Sequence, residues 1–179
     1  MELRDIVVAH QTASPREAAA KERILLELDR LGDPTNEHDD PTHVTASGIV
    51  VGARGTVLHL HKRLGRWMQP GGHIDPGETP PVAALREATE ELGMVVAHPR
   101  HGPVLVHLDV HEAAFGHTHL DLRYLLIGTD DDPAPPPGES QQARWCSWAE
   151  ADDLADEALR PALAIARAAW DGESPDVPR

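Results

Sequence analysis

The sequence is short of cysteine, of basic residues and of long apolar runs, and each shortage removes a class of explanation. Cys146 is the only cysteine in 179 residues, so no internal disulfide can staple the fold. Sixteen Lys plus Arg face thirty Asp plus Glu, a formal charge of −14 that opposes loose attraction to nucleic acid or to an anionic membrane. No apolar stretch approaches the roughly 18 residues of a membrane span. The first residues, MELRDIVVAHQ, lack the basic start and apolar core of a secretory signal. A soluble cytoplasmic protein is the expectation, with neither a membrane nor DNA or RNA as partner. Apolar residues still make up 40% of the chain, enough for one sizeable core, and the length suits a single domain over residues 1–179.

SPREAAAKERILLELDRLGD offers Ser14 as a helix N-cap, Pro15 at the first helical position, and Ile24, Leu25, Leu28 and Leu31 along one stripe. An amphipathic helix is expected over about 14–31. The polar stretch NEHDDPTH after it reads as a connector. β-branched runs on either side of GARG predict strand, turn and strand. PVLVHLDVHEA and HTHLDLRYLLIG predict a second pair joined through AFG, and ARWCSW a last short strand. TDDDPAPPPGESQQ holds too many prolines for a central strand and reads as a surface loop. From about 149 to 170 the chain is helical, with Pro161 dividing or kinking it. Interleaved strands and helices without an internal repeat point to the α/β class with a mixed sheet.

The densest chemistry lies in GGHIDPGETPPVAALREATEELGM, residues 71–94. Thr79 and Pro80 suit a helix start and Gly93 a left-handed cap, which predicts a helix from Pro80 to Leu92. On it Glu87, Glu90 and Glu91 share one face, with Leu85, Ala88 and Leu92 roughly opposite. Like charges so placed cost about 0.2–0.5 kcal/mol per pair on an exposed helix. Hard divalent cations such as Mg²⁺ or Mn²⁺, which prefer carboxylate oxygens, would compensate. For the triplet alone, a solvated acidic face is the other reading. Ahead of the helix, Gly71 and Gly72 permit close backbone approach, and DPGE has proline and glycine where a type II turn requires them.

Gly72, Glu78, Arg86, Glu87, Glu90, Glu91 and Gly93, at these spacings, resemble the signature of the Nudix hydrolases, a box running over 72–94. LGRWMQPGGHID leading into it and HLDLRY downstream are similar to a bacterial, MutT-like group of that superfamily. Ala88 stands where the family usually has a larger aliphatic residue, so slightly looser helix packing is expected. The resemblance implies an α/β/α sandwich with an extra N-terminal helix. It also implies metal-dependent attack of water on a phosphoanhydride, usually in a nucleoside diphosphate linked to another group. Glu87, Glu90 and Glu91 would then be catalytic metal ligands for Mg²⁺ or Mn²⁺, one of them doubling as general base, with the carbonyl of Gly71 or Gly72 as a further ligand. Glu78 and Arg86 would form an ion pair bracing loop against helix.

Outside the box the residues are less decisive. Lys62, Arg63 and Arg66 read either as phosphate contacts or as a solvated hairpin tip, and Trp67 as a base-stacking or a packed ring. His73 follows the glycine pair and is a candidate phosphate contact. His117, His119 and Asp121 alternate, so they share a face that is either a metal or substrate cluster or a plain polar surface. Glu139 is the available auxiliary acid, where relatives often place one closer to Trp145 and this chain has Gln142. Cys146 reads as a buried strand residue, and its neighbours do not reproduce the cysteine motif of isopentenyl diphosphate isomerases, a different enzyme class of related fold. A binding-only sensor of the same fold is the non-enzymatic alternative, though such relatives tend to lose box glutamates and all are present here. A homodimer is compatible with this reading.

Overall fold

The structure is a computed structural model and describes residues 2–172. Two helices come first, α1 (Leu3–Ala9) and α2 (Pro15–Arg30), followed by β1 (Thr42–Gly52), β2 (Gly55–Leu60), β3 (Trp67–Met68) and β4 (Gly71–His73). Then come α3 (Pro80–Leu92), β5 (Val96–Ala97), β6 (Val104–Glu112), β7 (Thr118–Gly128), β8 (Ala143–Cys146), α4 (Trp148–Leu154) and α5 (Arg160–Gly172). Ser14 caps α2 as expected, its Oγ accepting from the Glu17 N–H at 3.1 Å. Helix α1 was not expected. Its 7 residues are too few to establish a helical period, and its paired valines favour strand. Pro161 sits in the first turn of α5, where its missing N–H costs nothing, so the C-terminal helical segment divides rather than kinks.

The strands form one mixed, 8-stranded sheet in which the long strands β1 and β7 run parallel at the centre. One edge of β1 is shared. Its last residues pair with β2, while Thr45, Ala46 and Ser47 pair with His73, Gly72 and Gly71 of β4. That division of an edge brings the glycine loop to the middle of the sheet. Alternation then sorts the side chains. Val44, Ala46 and Val50 of β1 face α1, α2 and α3, whereas Ile49 and Val51 face α4 and α5. The result is a helix–sheet–helix sandwich. No helix among the described residues is long and apolar enough to cross a membrane.

Helix α3 buries Pro80, Ala83, Ala84, Ala88 and Leu92. Leu85, expected on that face, is only half-buried, because the small side chains of Ala84 and Ala88 form the ridge that lies against β1. Ala88 is fully buried, and Val50, Met94, Leu126 and Trp145 complete the cluster around it, so the loosening expected from its small size is not found. Thr79 precedes the helix in extended conformation without a side-chain capping bond, and Gly93 ends it with φ 59°.

Candidate active site

Three carboxylates, two glycines and one arginine meet where α3 passes over β4. The turn that delivers them is closed by the Glu78 N–H donating to the Asp75 carbonyl at 2.9 Å, with Gly77 at φ 87° as a type II turn demands. Glu87 and Glu91 lean inward, their side chains 17% and 18% exposed, while Glu90 is 59% exposed. Gly72 is needed for this approach, since a Cβ there would lie 2.6 Å from Glu87 Oε1. The Gly71 N–H donates to Glu91 Oε2 at 2.9 Å.

Arg86 binds the loop to the helix. Its guanidinium donates to Glu78 Oε1 and Oε2 at 3.0–3.2 Å, to the His73 carbonyl at 3.0 Å, to Glu87 at 2.8 Å and to Glu90 at 3.2 Å. One cation therefore serves several carboxylates, and charge remains uncompensated. Burial pushes the Glu91 carboxyl up to about 7, against the Gly71 hydrogen bond, and the charges of Glu87, Glu139 and Glu90 push it the same way. Burial also raises Glu87, with Arg86 opposing. Glu139, carried on the proline-rich loop, thus acts electrostatically on Glu91. A residue the sequence did not flag, His59 of β2, also borders the site, its Nε2 standing 4.0 Å from Glu91 Oε2.

The donor set fits Mg²⁺ or Mn²⁺. It consists of carboxylates, two of which are held in a buried position that disfavours their charge and that a cation would relieve.

The outlying candidates fall elsewhere. Arg66 is exposed and pairs with Asp156 at 3.3 Å, and Lys62 donates to the Gly138 carbonyl, so this tip is tied to other loops. Trp67 is half-buried, with the Arg144 guanidinium 5.2 Å from its ring centre. Cys146 is buried and burial raises its thiol, consistent with a packing role.

His73, His117 and His119 come together on the opposite face of β4 and β1, around His43. The ring centres of His73, His117 and His119 lie 5.0, 5.2 and 5.1 Å from that of His43. Asp121 shares the face but is spent on other partners: it accepts from Ser47 at 2.9 Å, from Thr45 at 3.2 Å and from Arg123 at 3.0 Å. Arg123 reaches on to Asp109 at 3.0 Å, which makes a buried polar network rather than a ligand set. His43 and Glu37, the latter 3.2 Å from His73 Nδ1, were missed by the sequence reading. The available signal was the alternation of His43, Thr45 and Ser47 along one strand face.

Comparison with known proteins places this geometry in context. The sequence model described as NUDIX domain matches residues 41–167. The chain is 36% identical over 63 residues to an RNA pyrophosphohydrolase of Erythrobacter litoralis, covering 32% of this chain and 38% of that one. It is 31% identical over 96 residues to the asymmetrical bis(5′-nucleosyl)-tetraphosphatase of Caenorhabditis elegans, covering 51% and 66%. The chain thus spans between about a third and two thirds of the length of these curated relatives. Among solved structures, a NUDIX-family hydrolase from Clostridium perfringens superposes with a TM-score of 0.59 at 29% identity, covering 72% of this chain and 96% of that one.

Proposed function

The chain belongs to the Nudix family, and from that premise we propose that it hydrolyses a phosphoanhydride bond in a nucleoside diphosphate linked to another group. The observation that carries the reading is the inward pair Glu87 and Glu91, set against the Gly71–Gly72 backbone with the Glu91 carboxyl pushed up to about 7. Glu87, Glu90, Glu91 and the carbonyl of Gly71 or Gly72 would hold Mg²⁺ or Mn²⁺. Such an ion, when bound, neutralises the diphosphate and makes water a better nucleophile near neutral pH.

The chain's own residues do the remaining work. Arg86 holds Glu87 and Glu90 in place while Glu78 fixes the guanidinium from the loop side, so the acids are positioned before substrate arrives. One of the three glutamates would also take the proton of the attacking water, and Glu91, facing inward beside the Gly71 N–H, is placed to do so. Glu139 lies within electrostatic reach and is the auxiliary acid of this arrangement. Arg66 keeps an exposed guanidinium whose surface partner, Asp156, a phosphate can displace.

The relatives' names divide between RNA ends and dinucleotides. The net charge of −14 favours the small nucleotide, since an RNA body would be repelled beyond its 5′ end. A panel of nucleotide sugars, dinucleoside polyphosphates and a 5′-triphosphorylated RNA, assayed for phosphate or pyrophosphate release with Mg²⁺ and with Mn²⁺, tests both points. Glu91→Gln is expected to lower turnover at least about a hundredfold with the circular dichroism spectrum unchanged. Undiminished turnover in a folded Glu87→Gln/Glu91→Gln double variant would sink the proposal.

A further inference from the structure

Behind β4, on the sheet face away from Glu87 and Glu91, three imidazoles converge. His43 and His119 are direct partners in the parallel pairing of β1 with β7, and His73 enters from β4 on the other side of β1, paired at Thr45. One nitrogen from each of His43, His73 and His119 lies within 4.8 Å of the other two. We propose that these residues form a second cation site, separate from the glutamates and selective for a borderline transition metal ion of the Zn²⁺ class.

Ring orientation supports this. His43 Nδ1 faces the Asp40 carbonyl at 3.3 Å, and His73 Nδ1 faces the Glu37 carboxylate at 3.2 Å. The Asp40 carbonyl can only accept, which fixes the His43 proton on Nδ1, and the nearby Glu37 carboxylate favours the same tautomer in His73; both leave Nε2 as a lone pair, the arrangement by which metal-ligating histidines are held. In both residues Nε2 is buried without a protein partner, and His43 is 0% exposed. Ring packing alone would leave those two acceptors unsatisfied in a low-dielectric setting, which is costly.

The donor type selects the ion. Imidazole suits Zn²⁺, Co²⁺, Ni²⁺ and Cu²⁺, whereas Mg²⁺ seeks oxygen, so the two faces of β4 present unlike chemistry to unlike metals. Zinc–nitrogen bonds of about 2.0–2.1 Å place tetrahedral nitrogens roughly 3.3 Å apart, a contraction that small side-chain rotations supply. His117 packs edge-on against the cluster, its ring centre 5.2 Å from that of His43. The His73 carbonyl accepts from Arg86, so an ion here would also anchor the strand that carries the glycine pair.

The test titrates chelator-stripped protein, in saturating Mg²⁺, with Zn²⁺ against a chromophoric chelator and with Co²⁺ by visible absorption. One equivalent of Zn²⁺ should bind, and Co²⁺ should show the intense bands of a low-coordinate nitrogen site. Both signals should persist in Glu87→Gln/Glu91→Gln. His119→Asn and His73→Gln should each weaken Zn²⁺ binding at least about a hundredfold. His73 is 41% exposed at its side chain, so its variant reads the site even if His119→Asn fails to fold. Absence of stoichiometric Zn²⁺ binding, undiminished binding in folded histidine variants, or loss of binding in the glutamate variant would each overturn the proposal.

Discussion

Glu91 shows at the scale of one residue how a binding site costs stability. Its carboxyl is pushed up to about 7 from an ordinary 4.5, so in the metal-free protein its charge is a burden above pH 7 and no burden below 4.5. A raised carboxylate is a penalty that grows with pH between those two values. Neutralising it therefore helps the metal-free fold and harms the function. Glu91→Gln keeps an oxygen to accept from the Gly71 N–H while removing the charge. At pH 8 without metal it is expected to raise unfolding stability by up to about 3 kcal/mol, and at pH 4.5 by nothing. Saturating Mg²⁺ should reverse the order, because only the wild type gains from the ion. Urea denaturation at the two pH values, with and without Mg²⁺, checks this; a variant less stable than wild type at pH 8 without metal would contradict the account. Glu90→Gln, at an exposed position, should move stability little.

At the scale of elements, the unit is the turn over residues 75–78 welded to α3 by Arg86. One planar fork reaches two oxygens of Glu78, the His73 carbonyl and the two neighbouring glutamates at once, a geometry an ammonium cannot copy. Arg86→Lys should lose about 2 kcal/mol of stability and at least about tenfold in turnover, measured by urea denaturation and steady-state kinetics; wild-type values in both would show the brace to be dispensable. This unit was legible in the sequence because its determinants are local. Pro76 and Gly77 set the turn, Pro80 and Gly93 bound the helix, and the spacing of Glu78 and Arg86 closes the pair. The histidine cluster was only half legible for the opposite reason. His117 and His119 are neighbours on one strand, but His43 joins them through a β1–β7 pairing 76 residues apart in the same register as Thr45 and Asp121, which no local pattern encodes. For Asp121 the choice between a ligand and a plain polar face was likewise left open, since its neutralisation by Arg123 and the reach of Arg123 to Asp109 on β6 are facts of the sheet. Helix α1 escaped because seven residues carry too little period.

For the whole molecule, the buried histidines and the inward carboxylate of Glu91 make opposing demands as pH falls. Burial is the main cause that holds His59, His107 and His119 at about 4 rather than the ordinary 6.5. For such groups the unfolded chain takes up protons first, so stability is full above about 6.5 and declines as pH falls towards 4. Glu91 works the other way in the same window, since the folded chain there holds a proton that the unfolded chain has released. Of the groups shifted most, three favour unfolding and one opposes it. The net is about two protons, and stability should fall by about 2.7 kcal/mol per pH unit between pH 6.5 and 4.5. Removing the opposing group should expose the rest. Glu91→Gln is therefore expected to steepen the decline to about 4.1 kcal/mol per unit, while His107→Asn in the wild-type background should halve it. Denaturation midpoints taken at half-unit steps across this range, on metal-free protein, measure all three slopes. A Glu91→Gln slope no steeper than that of the wild type would mean that the inward carboxylate is already ionised at pH 5, and with it would go the claim that α3 holds an acid strained for want of a cation.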